Sequence, residues 1–543
     1  MSSSQCFDFV IVGAGSAGCV LARRLAETGR YSVLLMEAGG RDSYPWIHVP
    51  IGYGKTMFNR KVNWGYSTEA DPNINDRTVY WPRGKVLGGS SSINGLIYVR
   101  GQAEDYDDWH ARGCDGWSYE DVLPYFLRAE DQARGDDRYH GVEGPLAVSD
   151  VGEPNRLCDA FIGSGEAIGI PRNNDFNGAT QEGVGYFQLT VKNGRRCSTA
   201  SGYLKPVASR KNLEIMTHTL CSRVEFRDRR AVGVHYTRAG RNGFVGARHE
   251  VILAGGAINT PQILELSGIG PEQVLAEQNI EPVSISEEVG QNLSDHLQAR
   301  LIYKCSEPIT TNDDLNSFVR KMGIGLRYVL SRKGPLAVGI NQAGGFARSG
   351  ADVERPDIQF HFGTLSSDRP GSPVHRFSGF TLSTCQLRPE SRGSVHIRST
   401  DPSVYPQIRA NYLATEMDRR IMVDGVKLGR RLAAAAPLSG YITEEYAPGM
   451  DVQSDEALLD FVRDDATTIF HPTGTCRMGP DAEAVVDMRL RVRGVDALRV
   501  IDASIMPSIV SGNTNAPVIM IAEKGADMIL EDVDKQQFCR DIA

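Results

Sequence analysis

The stretch Phe7-Asp8-Phe9-Val10-Ile11-Val12-Gly13-Ala14-Gly15-Ser16-Ala17-Gly18 decides how this chain is read. An apolar run ends in Gly13-x-Gly15-x-x-Gly18, and Cys19 to Ala26 continues with helical spacing. The order is buried strand, tight turn, helix. One glycine makes the turn, one lets the backbone approach a pyrophosphate, and one lets the helix pack on the strand. The helix start then offers free N–H groups and a partial positive charge to phosphate. A second strand, Ser32 to Met36, ends at Glu37, 24 positions after Gly13. That is close to the spacing of a carboxylate that binds a ribose, and a carboxylate there suits free ribose hydroxyls and repels a 2′-phosphate. The unit by itself leaves the choice between a nicotinamide and a flavin dinucleotide open.

The chain has 543 residues, 41% hydrophobic and 23% charged, which is ordinary for a globular protein with more than one domain. A net charge of −8 argues against a general nucleic-acid binder, which shows a basic face. The ten cysteines form no C-x-x-C pair, and no histidine pair has zinc-ligand spacing. They read as scattered reduced thiols, so the expectation is a cytoplasmic protein without a metal site. No apolar run is long enough to span a bilayer. Peripheral contact with a membrane stays open.

Further along, Pro82 to Gly95 contains Gly88-Gly89-Ser90-Ser91-Ser92, flanked by Val86, Leu87, Ile93, Leu96 and Ile97. Such a stretch packs no core, but it brings many backbone donors to one anion or ring system. Trp109 to Arg134 reads as helical and amphipathic. Arg223 to Phe226 and Ala231 to Tyr236 read as strands. Val251 to Ala257 repeats the strand-then-glycine grammar, and Asn259-Thr260-Pro261 reads as the capped start of a helix. Arg300 to Lys304, Asp357 to Phe362, Phe380 to Leu387 and Ser394 to Arg398 read as strands beside helices at Leu315 to Leu330 and Glu416 to Ala434. This is an α+β pattern with an antiparallel sheet. Leu498 to Ala503 and Ala516 to Leu530 return to the first style, so the first domain is discontinuous.

Several stretches together resemble the glucose–methanol–choline (GMC) flavin oxidoreductases. They are the opening unit, Gly84 to Asn94, Gly255-Gly256-Ala257-Ile258-Asn259-Thr260-Pro261, Gly290-Gln291-Asn292-Leu293-x-Asp295-His296, His471-Pro472-x-Gly474-Thr475 and Asp502-Ala503-Ser504-Ile505-Met506-Pro507. The nearest branch is that of choline-dehydrogenase-like alcohol dehydrogenases. The resemblance implies a Rossmann-like, doubly wound α/β domain that binds FAD (1–155, 196–298 and 464–543). It also implies an α+β substrate domain on an antiparallel sheet (156–195 and 299–463). Motif by motif, Gly13, Gly15, Ser16, Ala17 and Gly18 would hold the diphosphate and Glu37 the adenosine ribose, with Ala38 also in the cofactor set. Arg83, Val86, Gly88, Ser92, Asn94 and Gly95 would line the flavin side, and Val224 would touch the adenine. Ala254, Asp502, Ala503, Asn513 and Thr514 complete the cofactor set. Some members link FAD covalently through a histidine in the glycine–serine stretch. Ile93 stands there, so the implied FAD is non-covalent.

Alcohol oxidation removes an O–H proton and a hydride from one carbon. FAD takes the hydride, and the protein must supply a base titrating near neutrality and a group to orient the oxygen. His471, between Ile469-Phe470 and the turn at Pro472, is the candidate base. Asn513 is its candidate partner, able to hydrogen-bond the oxygen but not to take its proton. Asn515 is the second choice of partner, and His296 and His361 are the next histidines. Leu96, Tyr98, Phe470 and His471 are the expected substrate lining, suited to an aliphatic or aryl primary alcohol. Cys385 and Arg388 read as core and sheet-end structure. Electrons would pass to a quinone or other carrier. The alternatives are an oxygen-using oxidase, a choline dehydrogenase and, more distantly, a flavin-containing lyase.

Overall fold

The computed structural model describes residues 5–542, with side chains to Lys535. In chain order, the strands of its two large sheets begin with β1 (Cys6–Val12), β2 (Val33–Met36), β3 (Gly183–Tyr186) and β4 (Leu213–Met216). They continue with β5 (Thr219–Arg227), β6 (Arg230–Arg238), β7 (Arg241–Leu253), β8 (Leu297–Cys305) and β9 (Asn341–Ala347). The last are β10 (Ile358–Gly363), β11 (Gly379–Gln386), β12 (Ile442–Ala447), β13 (Thr467–Thr468) and β14 (Leu498–Val500). The helices that matter are α1 (Ser16–Glu27), α2 (Ala103–Ala111), α3 (Tyr119–Ala129), α4 (Gly256–Leu266), α5 (Phe318–Ser331), α6 (Glu416–Ala434) and α7 (Asn515–Ile542).

The first sheet runs β4-β2-β1-β7-β6-β5, with β14 also on β7. In its parallel part the edge strand β4 is buried only at Leu213 and Met216, whereas β2 and the last four residues of β1 are unbroken apolar runs, fully buried. A parallel strand covered on both faces has that composition. Strand β7 changes role midway: Arg241–Gly246 pairs antiparallel with β6, and Gly246–Leu253 pairs parallel with β1. Gly13 has φ +100°, and a Cβ on Gly18 would lie 1.8 Å from the Gly13 carbonyl oxygen. The turn and the close helix-on-strand packing therefore both require glycine. The second sheet, β12-β8-β11-β10-β9-β3 with β13 on β8, is antiparallel. Helix α6 covers it, capped by Thr415, whose hydroxyl accepts from the Asp418 amide. A Cβ on Gly429 would come within 2.7 Å of Leu301, so the glycine lets α6 lie close to the strands.

Some boundaries differ from the sequence reading. Trp109 to Arg134 is two helices, α2 and α3, because Gly113 and Gly116 take φ +88° and +80° between them. Leu315 to Leu330 is broken at Ser317, whose hydroxyl accepts from the Arg320 amide and starts α5. Ser394–His396 pairs with Gln407–Arg409 outside the large sheets. Strand β13, expected in the first domain, joins the second sheet. Helix α4 begins at Gly256, which puts Pro261 inside it. Proline leaves one helical carbonyl without its donor. That carbonyl, on Ala257, instead accepts from the Thr475 hydroxyl at 2.7 Å. No helix among the described residues is long and apolar enough to cross a membrane.

Candidate active site

A cavity of about 310 Å³ lies between the two sheets, walled by both. From the first sheet it takes the turn after β1 (Gly13, Gly15, Ser16, Ala17), the end of β2 (Glu37, Ala38) and the turn after β7 (Ala254 to Ala257). Helix α1 has no side-chain cap at Gly15, so its first amides remain available to an anion. Glu37 accepts from the Ala14 amide at 3.1 Å and the Gly39 amide at 2.8 Å. Burial nevertheless raises its pKa to about 7. Asp502 fixes the next turn. It accepts from the Gly256 amide at 2.7 Å and from the Thr260 hydroxyl at 2.6 Å. Asn515 opens α7 and accepts from the Ser16 hydroxyl at 2.8 Å, which joins the starts of α1 and α7.

The second sheet contributes Gln298, Asn341 and His361, and the loop after β13 contributes Ile469, Phe470 and His471. That loop is zipped to the segment before β8. Asp295 accepts the His471 amide at 2.7 Å, Ser294 and Thr473 exchange backbone hydrogen bonds, and the Ile469 amide donates to His296. Two non-glycine residues on the wall, Leu96 and Phe470, have φ of +74° and +72°. Positive φ at a bulky residue marks backbone held by its surroundings. The Phe470 carbonyl is held by the Arg83 guanidinium at 2.6 Å.

The polar chain around His471 fixes its tautomer. The Leu387 carbonyl can only accept, so His296 Nε2, 2.9 Å away, carries a proton. Burial lowers the His296 pKa to about 4, so the ring is neutral and its Nδ1 is an acceptor. His471 Nδ1 lies 3.0 Å from that atom and must be the donor. His471 Nε2 is therefore an unprotonated lone pair facing the cavity. Asn513 Nδ2 donates to it at 3.2 Å, while Asn513 Oδ1 accepts from Gln359 at 3.3 Å. Burial, His296, His361 and the Arg83 cation push the His471 pKa well below the usual histidine range. Among the described residues, no group of three or more ligating side chains could hold a metal ion.

Of the expected cofactor residues, Gly13, Gly15, Ser16, Ala17, Glu37, Ala38, Arg83, Asn94, Gly95, Ala254, Asp502, Ala503, Asn513 and Thr514 line the cavity. Five others stand behind the wall. Gly18 packs on Gly13. Val86 sits in an apolar cluster with Ile47, Val62 and Ile93. Gly88 donates its amide to Ala14, and Ser92 gives its hydroxyl to the Leu87 carbonyl. Val224 is the clearest correction: its amide is spent on the Ser267 hydroxyl at 2.8 Å, and Thr219, Leu220 and Cys221 line the cavity instead. Strand β5 shifts register between Cys221 and Arg223, which changes the face that each residue presents. Among the expected substrate residues, Leu96, Phe470 and His471 line the wall. Tyr98 does not: it is buried in the first core, where its hydroxyl accepts from Arg100 at 3.2 Å. Residues that the sequence reading missed include Tyr53, Ile258, Gln298 and Asn341. Alternation along β8 was the available signal for Gln298.

Comparison with known proteins identifies the family. The GMC oxidoreductase family models match residues 7–298 and 389–522. An "Alcohol dehydrogenase [acceptor]" of Pseudomonas putida is 43% identical over 533 residues, covering 97% of this chain and 96% of that protein. A mitochondrial choline dehydrogenase of Mus musculus is 44% identical over 532 residues, covering 96% and 89%. The crystal structure of pyridoxine 4-oxidase from Mesorbium loti superposes with a TM-score of 0.87 at 31% identity, covering 96% and 98%. The chain therefore belongs to the GMC oxidoreductases, FAD-dependent enzymes that act on CH–OH groups.

Proposed function

We propose that this protein oxidises an uncharged primary alcohol to the aldehyde, with His471 as the base. The observation that carries this reading is the tautomer relay from the Leu387 carbonyl through His296, which leaves His471 Nε2 unprotonated on the cavity wall, where Asn513 Nδ2 meets it. FAD, when bound, accepts the hydride. His471 Nε2 accepts the hydroxyl proton, and Asn513 Nδ2 orients the oxygen. The resulting imidazolium keeps its Nδ1 proton on His296. Gly13, Gly15, Ser16 and Ala17 would hold the diphosphate against the uncapped start of α1. Glu37 would hold the adenosine ribose. The side chain of Ile93 lines the cavity and offers no atom for a covalent link, so FAD would be dissociable.

The charge of the wall favours a neutral substrate. Its carboxylates are Glu37 and Asp502, and both are held by backbone amides at the first sheet. The second-sheet wall carries only neutral side chains near His471, with Ile469 and Phe470 as apolar surface. A quaternary ammonium would want a carboxylate or an open aromatic cage. A quinone or another carrier would then reoxidise the flavin. The test is anaerobic flavin bleaching by a panel of alcohols, followed by reoxidation with a quinone or with oxygen. Simple primary alcohols should bleach the flavin, acid should release it into the supernatant, and the quinone should outpace oxygen. Bleaching by choline alone overturns the substrate reading, and fast peroxide formation overturns the acceptor.

A further inference from the structure

Helix α5 is apolar on the wrong side. Phe318, Val319, Met322, Leu326, Val329 and Leu330 are 74%, 78%, 60%, 61%, 68% and 77% exposed. At about 100° per residue they fall within one arc of roughly 120°, the width of a stripe that ordinarily faces a core. The residue of α5 that is buried, Tyr328, lies on the opposite side and ties the helix down by donating its hydroxyl to the Gly194 carbonyl at 3.0 Å. A contiguous outward apolar face of this kind is an interaction surface.

The surrounding charge says what covers it. In a chain of net charge −8, the stretch from Leu315 to Pro335 holds Arg320, Lys321, Arg327, Arg332 and Lys333 and no acidic residue. Arg320 and Arg327 reach Asp314 and Glu153, at 3.6 and 2.6 Å. Lys321, Arg332 and Lys333 stand exposed. Cations beside an apolar stripe match an anionic lipid surface, whereas two copies meeting here would set these cations against each other. The 14 residues of α5 are too few to span a bilayer but enough to lie in its surface.

We propose that α5 docks the enzyme on an anionic membrane, its apolar stripe sunk among the lipid chains and its cations at the headgroups. The consequence reaches the cavity. The chain leaving α5 arrives at Ile340, whose amide donates to the Tyr53 hydroxyl at 3.1 Å, and Tyr53 and Asn341 both line the cavity. Docking therefore brings one cavity wall near the lipid, where apolar molecules concentrate. This inference does not depend on which alcohol is oxidised.

The test is co-sedimentation of the FAD-loaded enzyme with phosphatidylcholine vesicles, with and without phosphatidylglycerol. Binding should need phosphatidylglycerol, weaken with salt, and vanish in the triple variant Met322→Glu, Leu326→Glu, Val329→Glu. A second variant, Lys321→Ser, Arg332→Ser, Lys333→Ser, should weaken it by about fivefold for each charge removed. Turnover with a soluble dye acceptor should stay unchanged in both, which shows that they are folded. Wild-type enzyme left in the supernatant, or vesicle binding unchanged in both variants, overturns the proposal. So does a dimer in light scattering that the first variant splits while neither protein binds vesicles, because a second copy would then occupy the stripe.

Discussion

His471 and His140 are both buried, and their surroundings drive them to opposite charge states. His140 lies between two carboxylates, Glu130 at 3.2 Å and Asp175 at 2.8 Å, and these raise its pKa to about 9. His471 meets another histidine, an amide and the Arg83 cation, and its pKa falls well below the usual value. Burial penalises the charged form in both. The difference is that no carboxylate touches the His471 ring. Asp295 spends its oxygens on the His471 backbone amide and the Tyr412 hydroxyl. A carboxylate on the ring would make a strong cation, useful for tying loops together. A neutral ring with one defined lone pair is what proton removal needs.

The largest effect should come from His471→Ala. It should slow anaerobic flavin reduction roughly 10²- to 10⁴-fold with FAD still bound. In wild type that rate should stay flat across neutral pH and fall only in acid, because His471 is already deprotonated there; stopped-flow pH profiles check both points. A reduction rate that still climbs through pH 7 would show a different base. His296→Leu should slow reduction by about 10- to 10²-fold, since His471 then loses the acceptor that fixes its tautomer. His296→Asn should recover part of the loss through its amide oxygen. Asn513→Ala should cost less, about five- to tenfold, the worth of one orienting hydrogen bond.

The smallest effect belongs to His140. Its folded pKa lies above the unfolded value near 6.5, so its stabilisation is complete below about 6.5 and is lost as pH rises through about 9. The thermal midpoint should therefore fall by roughly a degree or two over that window, and His140→Gln should flatten the slope. Calorimetry at several pH values decides this. An unchanged slope would mean that His140 is neutral and the contrast with His471 is lost.

What was legible in the sequence follows the range of the forces involved. The turn after β1, the end of β2 at Glu37 and helix α6 rest on local chemistry: glycine sterics, strand length, a threonine cap. The sequence placed each within a residue or so. His471 and Asn513 were legible as motifs. The tautomer was not, because it depends on His296, 175 positions away, and on a carbonyl in yet another segment. Tyr98 and Val224 went astray for a more local reason. Tyr98 was named for its aromatic side chain and Val224 through the family resemblance; in the structure the left-handed Leu96 precedes the one and the register shift in β5 precedes the other, and both re-aim the residues that follow. Strand β9, with Gly344 and Gly345 inside it, lacks the β-branched signature that marks a strand from sequence.

The hydroxyl of Thr475 on the carbonyl that Pro261 leaves free does more than satisfy an acceptor. Thr475 ends the loop that carries His471, and Ala257 belongs to the turn that walls the opposite, dinucleotide-facing side. The latch bolts the His471 loop to the first sheet, while its zip to Ser294, Asp295 and His296 bolts it to the second. If the two sheets part as substrate enters and product leaves, this loop is the strap that joins them, held to the first by Thr475 and to the second by His296 and β13. Changes at Gln298, Asn341 or His361 on the second-sheet wall should then alter which alcohols are admitted and how fast they escape.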